Sequence, residues 1–91
     1  MSNTPPPYNY QWIGNTLSYT LAPGVVGLKL EYKKDGQANS QVIFDDKNSA
    51  PLSVVLSSSL GPKGIITGMT GEGADEEWGP PDTEEITNQI V

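Results

Sequence analysis

Between residues 16 and 71, apolar and polar residues alternate one by one in short runs broken by Gly and Pro, and this pattern constrains the chain more than any other. A period of two places successive side chains on opposite faces of an extended strand, whereas a helix needs spacings of three and four. The most legible stretch is residues 51–71. Leu52, Val54, Leu56 and Leu60 share one parity, against Ser53, Ser57 and Ser59 on the other. Gly61-Pro62-Lys63-Gly64 reads as a turn, after which Ile65, Thr67 and Met69 begin a returning strand. A four-residue loop sets Leu60 opposite Ile65 and Leu56 opposite Met69, so both strands turn their apolar residues to one side.

The upstream segments fit the same face. Tyr8, Tyr10 and Trp12 alternate with Asn9, Gln11 and Ile13, an aromatic ladder on one side of a strand. Leu17, Tyr19 and Leu21 alternate with Thr16, Ser18 and Thr20, and Pro23-Gly24 has type II turn character. Val26, Leu28, Leu30 and Tyr32 then point inward against Lys29, Glu31 and Lys33. A two-residue link at Pro23-Gly24 opposes Leu21 to Val26, Tyr19 to Leu28 and Leu17 to Leu30, although a type II turn matches strand twist poorly. At Asp35-Gly36 a two-residue turn mixes charge and hydrophobe on one face. A three-residue loop with Gly36 left-handed opposes Leu28 to Val42 and Val26 to Phe44, and is the expected one.

These segments predict an all-β fold: a small antiparallel sandwich or partly closed barrel of five or six meandering strands. Residues 1–7 are a polar, Pro-rich arm expected to be flexible, residues 8–71 the β domain, and residues 72–91 an acidic C-terminal segment. In that last segment Glu72, Asp75, Glu76, Glu77, Asp82, Glu84 and Glu85 supply seven of the chain's eleven acids. Pro80-Pro81-Asp82 followed by Glu84-Glu85 resembles a helix start, and Ile86 and Ile90 are one helical turn apart. A short C-terminal helix laid on the core is one expectation, and a final strand the other, because so short a segment is not helical unaided.

Composition removes whole classes of function. The sequence contains no His, Cys or Arg, which takes away the commonest general base, the thiolate metal ligand and the bidentate phosphate clamp. Ser57-Ser58-Ser59 therefore offers hydroxyls with no activating base, and no catalytic residue, cofactor or metal site is assigned. A net charge of −6, with five dispersed lysines, disfavours nucleic acid and an acidic membrane surface. Neither a signal peptide nor an apolar membrane span is visible, so the expected location is the cytoplasm or a particle assembled there. Asp45-Asp46-Lys47-Asn48-Ser49 resembles the calcium-loop pattern of the βγ-crystallins over those five residues, with Ala50 where a second Ser would stand. It is read as a solvated loop.

What remains is surface recognition. A 91-residue sheet with one greasy face needs cover, which favours self-association or a protein partner. Tyr8, Tyr10, Trp12, Trp78, Ile86 and Ile90 are the candidate partner-binding residues, with Trp78 an interface anchor among acids. Pro5-Pro6-Pro7-Tyr8 matches the PPxY pattern that WW domains read, but an arm leading into a strand is the preferred reading. The preferred reading is a non-catalytic binding or structural accessory module. The alternatives are a carbohydrate-binding module that stacks sugars on exposed aromatics, and a small acidic inhibitor of a nucleic-acid-binding protein.

Overall fold

Seven strands run through the computed structural model, which describes residues 4–56 and 60–89. They are β1 (Tyr8–Ile13), β2 (Thr16–Thr20), β3 (Gly27–Lys34), β4 (Gln41–Asp46), β5 (Ser53–Val55), β6 (Lys63–Gly71) and β7 (Asp82–Gln89). The strands form one mixed sheet in the order β4-β3-β6-β7-β1-β2-β5, nearly closed into a barrel. Since β4 and β5 end that order, the unclosed seam lies between them. Every pairing is antiparallel except β1 with β7, which is parallel through Trp12–Asn88 and Ile13–Gln89.

The even-odd alternation holds where it was cleanest. Leu17 and Tyr19 of β2, and Leu28, Leu30 and Tyr32 of β3, are all buried, while Lys29, Glu31 and Lys33 face out. With Trp12, Leu56, Leu60, Ile66 and Ile86 they make one contiguous core. Trp12 meets Tyr32 edge-on, with ring centroids 5.8 Å apart, a geometry that aligns ring edge with ring face.

The connections differ from the expected meander. Residues 51–71 do not form a hairpin: β5 pairs with β2, and β6 lies between β3 and β7. Leu56 and Leu60 are buried as expected, whereas Leu52 is exposed; Ser57–Ser59 fall outside the described residues. The inward parity of β6 is also reversed, since Ile66 is buried and Ile65, Thr67 and Met69 are only half-buried. Glycine explains that reversal. A side chain at Gly64 would collide with the Tyr32 ring, and one at Gly68 with the Tyr10 hydroxyl and Pro7. β6 thus turns its small residues inward because the Tyr32 ring of β3 and the Tyr10 ring of β1, from across the barrel, cover them.

Nor do β2 and β3 form a hairpin through Pro23-Gly24. Gly24 has the positive φ a type II turn requires, but the link carries the chain from one half of the sheet to the other. β3 and β4 do pair, in a register neither short loop gives: Leu30 opposes Phe44 and Glu31 opposes Val42. Ile43 is the extra residue of a bulge, which lets the adjacent Ile43 and Phe44 both pack on the core. The turn keeps Gly36 left-handed, with Gln37 N–H donating to Lys34 C=O at 3.0 Å.

Of the two expectations for the C-terminal segment, the helix does not form and the final strand does, as β7. Its backbone is shared between β6 along most of its length and β1 at its end, so the sheet supplies the hydrogen bonds an isolated helix would have made alone. Ile86 is buried within it. The pairings also define two rims. One carries Gly14, Asn15, residues 35–40, Lys63 and Gln89; the other carries residues 21–26, 47–52 and 72–81.

Candidate functional site

The open seam has a distinctive border. Leu56 N–H donates to Asn15 C=O at 2.7 Å, in line with the pairs Val55–Thr16, Val54–Leu17 and Ser53–Ser18. Bonded and non-bonded pairs alternate along an antiparallel ladder, so Val54 bonds toward β2 and the N–H and C=O groups of Ser53 and Val55 point to the free edge. Beside those groups stand the two most exposed large apolar side chains of the described residues, Val55 at 79 % and Leu52 at 69 %. On β4, across the seam, Val42 is 53 % exposed. A row of unpaired backbone groups flanked by apolar side chains is a template for strand addition.

The aromatic candidates separate. Trp12 is 3 % exposed and belongs to the core, and Tyr10 is half-buried at 5.9 Å from Tyr19. Tyr8 is exposed, set apart from the other two by a bulge at which Asn9 adopts φ 55°. The three rings therefore do not form one stacking platform. Trp78 is half-buried, 3.4 Å from where a side chain on Gly71 would begin, with Lys47 Nζ 5.5 Å from its ring centroid. Ile86 is in the core; Ile90 lies outside the described residues. Within the Pro-rich arm, Thr4 and Pro7 are buried, and Thr70 Oγ1 donates to Pro5 C=O at 2.6 Å.

The buried phenols are held neutral. Burial pushes Tyr19 up to about 12, and its hydroxyl donates to Pro51 C=O at 2.7 Å. Tyr10 is raised further by burial, then by the carboxylates of Glu84 and Asp82. Tyr32 is raised by burial first and Asp35 second. Such phenols pack, and those of Tyr19 and Tyr32 donate hydrogen bonds, but they supply no nucleophile at neutral pH. Among the described residues no cluster of acids is placed to hold a metal ion, and Asp46 instead accepts from Asn48 N–H in a local turn.

One grouping escaped sequence reasoning. The lysines are scattered along the chain, yet pairing of β3 with β6 brings Lys33, Lys34 and Lys63 around a cavity of about 370 Å³. Gln37, Thr87, Asp35 and Glu85 also line it, and Lys63 Nζ is 3.7 Å from Asp35. The signal was present only in the register, which places Lys34 opposite Gly64 and Lys33 opposite Ile65. No protein family, curated protein or solved structure matches the chain. Its surface is therefore read from its own chemistry.

Proposed function

We propose that this protein is a non-catalytic binding or structural accessory module that works through protein–protein contacts, its own copies included. The observation that carries this reading is the edge of β5, where backbone groups of Ser53 and Val55 that pair with no strand among the described residues lie beside exposed Leu52 and Val55. Added strands recruit such groups directly, and the apolar side chains contribute roughly 25 cal/mol for each Å² they bury. A non-catalytic role is supported by a side-chain set without His, Cys or Arg. We propose the cytoplasm, or a particle assembled there, as its location. No helix among the described residues is long and apolar enough to cross a membrane.

Sedimentation across a concentration series tests the proposal. The chain should form a dimer or larger species, and Leu52→Lys with Val55→Lys should weaken that assembly at least about tenfold while the chain stays folded. A wild-type monomer up to about 1 mM, where even a weak specific contact is populated, overturns it.

A further inference from the structure

The two rims of the barrel differ in charge: Lys33, Lys34 and Lys63 stand with only Asp35 and Glu85 at one, while the other is predominantly acidic. β6 is nine residues long, which spans roughly 27 Å at about 3.3 Å per residue. Lys63 opens it at the rim where Lys33 and Lys34 line the same cavity. From its far end leads the loop of residues 72–81, in which Glu72, Asp75, Glu76 and Glu77 are all exposed, with Asp45 and Asp46 ending the nearby β4. Three of the five lysines thus gather at one rim, and most of the acids gather at the other.

Each rim also has apolar surface beside its charge. Ile13 and Val55 are exposed at the lysine rim, and Val26 and Leu52 at the acidic rim. The acidic loop is held in shape: Lys47 Nζ donates to Glu76 C=O at 2.9 Å and stands over Trp78, and Gly79 N–H donates to Thr70 C=O at 2.7 Å. A loop anchored in this way loses little further freedom on docking.

We infer that copies of this chain associate head to tail, the acidic loop of residues 72–77 of one copy seating on the Lys33–Lys34–Lys63 cavity of the next. The inference rests on the protein-contact reading but uses a different surface from the β5 edge. Because the two contacting patches differ, the interface is heterologous and propagates into a ring or filament instead of closing as a twofold dimer. The net charge of −6 opposes approach from a distance. At physiological salt that repulsion is screened beyond about 8 Å, and the local lysine–carboxylate contacts decide the outcome.

Two neutralising variants test this, each confined to side chains that face out of the barrel. Lys33→Gln with Lys63→Gln removes the receiving face; Glu76→Gln with Glu77→Gln removes the entering one. Each variant alone should assemble at least about tenfold more weakly than wild type, since mutating charged interface groups weakens steering and pairing. Mixed one to one, they should associate more strongly than either does alone, because each retains the face the other lacks. Wild-type assembly should also weaken between 0.15 M and 1 M NaCl. If the wild type assembles and the variants assemble equally well, or if their mixture stays monomeric, the head-to-tail contact is wrong and the protein-contact reading stands. A wild type that stays monomeric throughout removes both.

Discussion

Tyr32 donates its hydroxyl hydrogen to the carbonyl oxygen of Leu60 at 2.9 Å in the barrel interior, and its ring occupies the space where Gly64 has no side chain. One residue thereby ties β3 to the chain entering β6 and fixes why β6 must present glycine inward. Tyr10, by contrast, buries a hydroxyl that has no hydrogen-bond partner among the described residues.

That contrast predicts opposite results from one substitution. Tyr32→Phe strands the Leu60 carbonyl and should cost about 1–2 kcal/mol. Tyr10→Phe removes a hydroxyl that is buried unsatisfied, and should leave stability unchanged or raise it. Urea denaturation of both variants checks this; equal losses would contradict the assigned hydrogen bonding.

Gly64→Ala should be worse than either. Its new methyl group meets the Tyr32 ring and the backbone carbonyl of Lys33, neither of which can swing aside. A loss of about 2–3 kcal/mol is expected from overpacking, against well under 1 kcal/mol for alanine at the exposed Ser53, which packs on nothing in the core. Calorimetric melting of the two variants gives the comparison.

At the β1 bulge, Asn9 is the one non-glycine residue with positive φ among the described residues. Asn tolerates the left-handed region through its short polar side chain, and Ala does not. Asn9→Gly should be neutral to stabilising and Asn9→Ala destabilising, the two differing by about 1 kcal/mol. Denaturation midpoints of the pair provide the check.

Alkaline pH should unfold the protein through its phenols. In the folded state Tyr19 titrates near 12 and in the unfolded chain near 10. The unfolded state therefore binds fewer protons between those values, and stability falls as pH rises through them. Below pH 10 the group is neutral in both states and contributes no pH dependence. Each such tyrosine contributes a slope of at most about 1.4 kcal/mol per pH unit, and Tyr10, raised further, adds to it in the same direction. Tyr19→Phe should flatten the curve above pH 10 in urea melts followed by tryptophan emission.

Which parts of the fold were legible follows from what sequence encodes locally. The inward sets Leu17-Tyr19 and Leu28-Leu30-Tyr32 could be read because alternation is intrinsic to a strand. Strand partners could not, because a single greasy face is compatible with many orders, and matching faces allowed a β2–β3 hairpin that the chain does not form. Residues 63–71 misled for a different reason: the inward positions are Gly64, Ile66, Gly68 and Thr70, so only one of them is a large apolar residue, while Ile65 and Met69 lie on the outside. The hairpin at Gly14-Asn15 was legible in principle, since Gly with positive φ at the first turn position is a type II′ feature. Of the candidate surface, exposed Tyr8 and half-buried Trp78 were named from sequence, while the lysine cavity and the β5 edge depend on pairing that only the folded chain reveals.

The β5 edge is the surface on which the functional reading turns, and residue-resolved amide hydrogen exchange tests it most directly. Measured in dilute and in concentrated solution, the amides of Ser53 and Val55 should exchange rapidly when dilute and become protected when concentrated, while Val54, already bonded to β2, changes little. Exchange at Ser53 and Val55 that stays equally fast in both solutions would contradict the account.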